Sequence, residues 1–306
     1  MKYSGIGGQA VMEGVMMKND AKYAVAVRKP DHEIIVETHE YSGLIKNQKL
    51  KNIPIIRGVF GFIESLTLGM KTLSFSASFF EEEEEEHKEK NTKKDDAMMG
   101  MTVAVSIVLA IAVFMVLPYG ISLLFRNVIT SEWLNALLEG VLRLFIFIGY
   151  VAGISFVPDI QRVYMYHGAE HKCINCIENG MDLTVENVRK SSRFHKRCGT
   201  SFLLIVMFVS ILFFMFIRVD SGVLRLALRL ILIPVIAGVS FELIRLAGRG
   251  DNVLVRWISA PGLMLQHITT KEPEDDMIEV AIASVEAVFD WKAFVKEFGD
   301  RKKGEA

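Results

Sequence analysis

The sequence predicts an α-helical polytopic membrane protein with four transmembrane helices, a small α+β cytoplasmic part at the N-terminus and an amphipathic helix near the C-terminus. Three observations carry this prediction. Of the 306 residues, 51% are hydrophobic, and a mean hydropathy of +0.31 is high for a purely soluble chain. The apolar residues gather into four long runs, each near the ~20 residues that cross a bilayer as a helix. The basic residues divide unevenly among the connections between those runs. A formal net charge of -1, from 35 basic and 36 acidic residues, gives no global attraction for a polyanion. The bilayer is therefore an expected partner and nucleic acid is not.

At the N-terminus, residues 1–10 hold one early lysine and several glycines but no apolar core, unlike a cleaved export signal. Gly7, Gly8 and Gly14 flank Gln9 to Glu13 and suit a strand or tight turn; their spacing matches neither the P-loop nor the dinucleotide pattern. Tyr23 to Val27 and Glu33 to Glu37 are short β-type runs around a polar, proline-containing break, which reads as a hairpin. Residues 1–52 thus form a β-containing segment. Over 53–80 the period becomes helical, with Phe60, Ile63, Leu66, Met70 and Leu73 recurring at three or four residues. Arg57, Glu64 and Lys71 repeat every seven and share a polar face. Such a helix lies on the membrane, against the spans or in a soluble core. Residues 81–97, opening with six glutamates, read as a charged flexible linker.

The membrane domain is 98–246. Met98 to Phe125 contains no charged residue. Leu134 to Val157 carries Glu139 and Arg143 four apart, a spacing that pairs them across one helical turn and away from lipid. Ser201 to Ile217 is apolar throughout, and Val223 to Leu246 holds Arg225, Arg229, Glu242 and Arg245 toward its ends. The connection over 158–200 has seven basic residues, whereas Arg126 to Trp133 and Arg218 to Gly222 have one each. By the positive-inside tendency, 158–200 and both termini face the cytoplasm. Beyond the spans, 247–306 reads as a cytoplasmic helical segment. It has a short helix ending near Gln266 and a second starting at Glu272 to Asp276 with the stripe Ile278, Ala281, Ile282, Val285, Val288 and Phe289.

The residues suited to chemistry lie in the 158–200 connection. His167 and His171, four apart on a helix, project from one face with Glu170 beside them. The order H-x-x-E-H matches the inverzincin pattern, in which two histidines bind a metal and the glutamate is a general base toward the water it activates. A third ligand is needed, and His195 or Cys198, three apart before the third apolar run, is available. The expected site is therefore His167, His171, His195 and Cys198 as metal ligands, Glu170 as catalytic base and a divalent ion, zinc by donor type. Two alternatives use the same segment. Cys173 and Cys176 with His195 and Cys198 have the paired spacing of a closed structural zinc site. The histidines and the three cysteines also suit ordinary packing at a membrane boundary. The helix between the halves, about Thr184 to Phe194, has Thr184 as N-cap and a basic end suited to anionic headgroups.

Several segments together resemble one family: Gly7 to Met17, Arg57-Gly58 through Glu64-Ser65, Tyr166 to Lys172, His195 to Phe202, and Ser259 to Leu263 through Glu272-Pro273. They are similar, over nearly the full length, to the YqhQ-like bacterial membrane proteins, a domain-of-unknown-function family (1385) labelled as predicted metal-dependent enzymes. The resemblance implies a bacterial cytoplasmic-membrane protein whose core contains His167, Glu170, His171, His195 and Cys198. It does not extend to Cys173 and Cys176, which weakens the closed-site alternative, and it adds Gln9, Glu13, Arg57 and Glu64 as further candidates for the same region. The expected function is a metal-dependent hydrolase; the competing expectation is a non-enzymatic factor that assembles or binds other membrane proteins.

Overall fold

Short runs rich in small and apolar residues fold the N-terminus into a four-stranded antiparallel meander, β1 (Gly7–Val11), β2 (Gly14–Asn19), β3 (Lys22–Arg28) and β4 (Ile34–Glu40). In this computed structural model residues 3–44, 52–81, 92–217, 219, 221–247 and 253–304 are described. The β1–β2 turn leaves Val11 opposite Gly14, and Glu13 takes a left-handed backbone conformation (φ 47°) to close it. Both expected strand regions are present, so the glycine-rich start is a hairpin of its own.

The sheet has two apolar faces because helices cover both. Val11, Met16, Tyr23, Val25 and Val27 pack with Leu68 of α1 (Ile56–Glu81) on one side. Val15, Met17 and Ala26 face α5 (Pro158–Glu178), α6 (Val185–Lys190) and α10 (Asp275–Val288) on the other. The stripe expected for the C-terminal helix supplies much of this core, with Ile278, Ala281 and Val285 fully buried. The 53–80 periodicity gives α1, which is wedged between the sheet and the last apolar helix. Arg57 forms a bidentate ion pair with Glu242 of that helix, and Gln9 of β1 donates to Gly69 O and Thr72 Oγ1.

Among the described residues, four helices are long and apolar enough to cross a membrane. The first runs through α2 (Thr92–Ile111), a π-helical turn at Ala112–Val116 and α3 (Leu117–Leu124). The others are α4 (Glu132–Ile154), α7 (Gly199–Phe216) and α8 (Gly222–Ala247). α9 (Val253–Thr269) then packs on α7, and α11 (Trp291–Gly304) closes the chain.

Glu139 and Arg143 do pair, and Arg229 of α8 joins them: Arg143 Nη2 donates to Glu139 Oε1 at 2.8 Å, and Arg229 donates to both carboxylate oxygens. Three expectations shift. The linker at 81–97 ends sooner, since α2 already begins at Thr92, and residues 82–91 lie outside the described residues. The short helix after the last span runs past Gln266 to Thr269. The helix expected over Thr184 to Phe194 stops at Lys190, because side chains of α5 capture the following carbonyls.

Candidate metal centre

Pro158 opens α5 at its first turn, a position where proline costs no helical hydrogen bond. Its sequence is polar on average but buried from Gly168 to Glu178, so its polar groups need partners. They find them in the backbone of 189–194. Lys172 Nζ donates to the carbonyls of Arg189 and Ser191, both at 2.9 Å. Asn175 Nδ2 donates to Ser192 O at 2.6 Å and Phe194 O at 3.0 Å. His171 Nδ1 meets Arg193 O at 2.7 Å. These bonds replace helical ones and draw the loop across α5. Gln266 of α9, fully buried, fixes the next residue by accepting from His195 N and donating to His195 O and Ser201 Oγ.

The loop then delivers Cys198, the N-cap of α7, whose sulfur accepts from Thr200 N. Cys198 Sγ lies 3.2 Å from His167 Nε2, and the rings of His167 and His171 are 4.4 Å apart. One nitrogen from each imidazole and the Cys198 sulfur all fall within 4.8 Å of one another, a group able to hold a metal ion. His167 Nδ1 bonds Thr269 O at 2.9 Å. A ring nitrogen facing a carbonyl carries the proton, so both histidines are set with Nδ1–H outward and Nε2 free to ligate. This is the backbone-carbonyl orientation usual for metal-binding imidazoles.

The electrostatics agree. Burial works against the charge on Cys198, yet the two imidazoles beside it hold its thiol well below the usual value. Burial likewise opposes protonation of His167, but the Cys198 sulfur, Glu170 and the Thr269 carbonyl outweigh it and raise the ring to about 9. Without an ion, the shared proton is thus drawn toward the His167 ring and away from the Cys198 sulfur. A metal ion held by this group would take the place of that proton.

Glu170 lies on the same flank of α5. Burial pushes its carboxyl upward, against the pull of His171 and His167 and the Gly8 N–H that hydrogen-bonds it. Among the described residues its Oε2 has no hydrogen-bond partner. Gly8 can approach this closely only as glycine: a Cβ would sit 2.5 Å from Met16 O and 3.2 Å from the Glu170 carboxyl carbon. The group opens into a cavity of about 460 Å³ between β1, α5 and the start of α7. This cavity continues into a larger groove toward α1 and α8, with Phe62, Leu66, Phe202 and Phe241 along it.

The two positions proposed for the third ligand separate. Cys198 joins the histidines. His195 lines the same cavity and its ring is 5.6 Å from that of His171, but it is not in the ligand group; its Nε2 is 3.8 Å from Glu178 and 3.3 Å from Arg197. Burial depresses its protonation, partly offset by Glu178. Glu178 in turn is held at about 2: burial opposes this, but His195, Ser4 and Arg197 all stabilise its charge. Cys173 and Cys176 point the other way, into the core with Ile174, Met277 and Ile278. On a helix they lie roughly 120° and 180° around from His167, so the closed four-ligand site is not formed. Gln9 reaches α1 rather than the ligands. Glu13 forms a bidentate pair with Arg162, and Glu64 accepts from Leu44 N at 2.5 Å. Gln266, Lys172, Asn175 and Glu178 were not singled out in the sequence. The one signal for them was density of polar residues in a helix that the fold must bury.

A model of the protein family described as "Protein of unknown function (DUF1385)" matches residues 53–291. The chain belongs to this family. It is also 36% identical over 286 residues to "Uncharacterized protein YqhQ" of Bacillus subtilis (strain 168), covering 91% of this chain and 90% of that protein. No solved structure matches. The match reaches from α1 to the first residue of α11 and includes every residue of the ligand group.

Proposed function

We propose that this protein is a membrane-embedded, metal-dependent hydrolase whose site faces the cytoplasm of a bacterial cell. The carrying observation is the carboxyl of Glu170: one oxygen unpartnered, buried beside His167, His171 and Cys198, at the floor of an open cavity. Three protein ligands with room for a fourth is the arrangement of catalytic zinc sites, whereas structural sites fill all four positions. A divalent ion, zinc by its Cys/His donors, would be held by His167 Nε2, His171 Nε2 and Cys198 Sγ, and supplies Lewis acidity when bound.

The chain's own residues do the rest. Thr269 O and Arg193 O hold the imidazoles in the ligating tautomer. Gly8 N–H orients the Glu170 carboxyl beside the ligand group, and that carboxyl takes a proton from attacking water and returns it to the leaving group. His195 and Glu178 position the loop that carries Cys198, not the reacting atoms. The cytoplasmic orientation is supported by the seven basic residues of 158–200, at the same end of the helices as this site. A non-catalytic assembly role for the same fold remains the competing class, and an ion with no turnover is its signature.

The test uses purified full-length protein in neutral detergent, loaded with zinc and offered a casein digest and p-nitrophenyl acetate. Hydrolysis that disappears in Glu170→Gln while zinc is retained supports the reading. Equal hydrolysis in Glu170→Gln, or none in the zinc-loaded wild type, removes it.

A further inference from the structure

The end of the apolar helices remote from the His/Cys group holds a second charged cluster. Glu139 and Arg229 each lie about 10 Å inside their helices at 1.5 Å per residue, and both are buried, as is Arg143. Two guanidiniums share the one carboxylate of Glu139. Arg143 also donates to Ser210 Oγ and to Phe114 O, a carbonyl in the π-helical turn of the first apolar helix. Among the described residues Arg229 Nε has no hydrogen-bond partner. The triad therefore carries one positive charge in excess, away from water, where an uncompensated charge is costly.

Beside it is a cavity of about 60 Å³, lined among others by Arg126, Glu132, Arg225, Arg229 and Glu139. That is several times the ~10–15 Å³ one water needs. Arg225 is oriented by Val219 O, at 2.6 Å from Nη2, and by the Tyr119 ring. Among the described residues neither Arg225 nor Arg126 makes an ion pair. Three guanidiniums, those of Arg126, Arg225 and Arg229, line this one small space against the carboxylates of Glu132 and Glu139, and Arg143 adds a fourth positive charge on Glu139 outside the lining. We propose that this cavity binds a single phosphate group, the anion whose size and charge match converging guanidiniums. Its source is either the headgroup of an anionic phospholipid, if these helices cross a bilayer as proposed above, or phosphate free in solution.

The test is thermal unfolding of the full-length protein in neutral detergent. It is titrated with phosphatidylglycerol, with phosphatidylcholine as the zwitterionic control, and separately with inorganic phosphate at ionic strength fixed by chloride. In the wild type the midpoint should rise with phosphatidylglycerol or with phosphate and not with the controls. The half-saturating concentration should increase about tenfold or more in Arg225→Gln and further in Arg126→Gln/Arg225→Gln. A rise with the lipid alone identifies a headgroup; a rise with inorganic phosphate identifies the free anion. No rise in the wild type with either, or an unchanged half-saturation in the double variant, overturns the proposal. Half-saturation is read independently of any drop in the starting midpoint, and zinc content should be the same in all three proteins.

Discussion

Gly168→Ala is a one-carbon change that reaches the proposed metal centre through backbone. A Cβ at 168 would lie 2.0 Å from Lys271 O and 3.2 Å from its carbonyl carbon. Ordinary contact requires the strand of chain at 269–273 to retreat by more than about 1 Å. That strand is pinned: Lys271 N donates to Tyr164 O at 2.9 Å, Arg193 donates to Thr270 O at 2.7 Å, and Thr270 Oγ1 bonds Gln266 O. Overpacking of this kind costs about 1–3 kcal/mol. The retreat also moves Thr269 O, which orients His167, and disturbing such a support lowers metal affinity by about 10–100-fold. The assay is competition for zinc against a chromophoric chelator, with the unfolding midpoint measured in parallel. A drop in both is expected. Wild-type zinc affinity with a wild-type midpoint would refute the argument, because the carbonyl would then have had room to yield without moving the imidazole.

Three further outcomes follow from the same contacts. Lys172→Met leaves the buried carbonyl of Ser191 and the part-buried one of Arg189 without their donor; a loss of about 1–3 kcal/mol and faster proteolysis within 189–198 are expected, and an unchanged cleavage pattern would show the loop holds itself. In chelator-treated protein Cys198 should remain a thiolate well below the usual thiol range, while His167 keeps its proton up to about pH 9. Its alkylation rate should accordingly stay nearly flat between pH 6 and 8, and His167→Gln should restore a steep rise with pH; a tenfold rise per pH unit in the wild type would deny the ion pair. Glu139→Gln strands two buried guanidiniums, which costs about 3–5 kcal/mol, so the variant should accumulate poorly, whereas wild-type accumulation would mean Arg143 and Arg229 find other partners.

Much of this was legible in the sequence, where the relevant forces are local. The four apolar runs, the two β-type runs and the i, i+4 spacing of His167 and His171 are properties of short segments, and the helices and hairpin appear where period and composition put them. The pairing of Glu139 with Arg143 was visible for the same reason. Arg229, ninety residues away, was not, since nothing in its own helix says which carboxylate it meets. The third ligand was ambiguous between His195 and Cys198 because both sit three apart on one loop. What decides is tertiary: Gln266 grips the backbone of His195, turning that ring toward Glu178, while the N-cap of α7 aims Cys198 at His167. The overlong helix expected over Thr184 to Phe194 fails similarly, because Lys172, Asn175 and His171 outbid the helical hydrogen bonds of that stretch from across the fold.

The most direct measurement is the metal content and ligand shell of the full-length protein. Elemental analysis should find one zinc per chain, retained in Cys173→Ala and Cys176→Ala and lost in His171→Ala and Cys198→Ser. X-ray absorption should show two nitrogens near about 2.0 Å and one sulfur near about 2.3 Å. Protein that binds no metal, or binds it with no sulfur in the shell, would contradict the site built here from His167, His171 and Cys198.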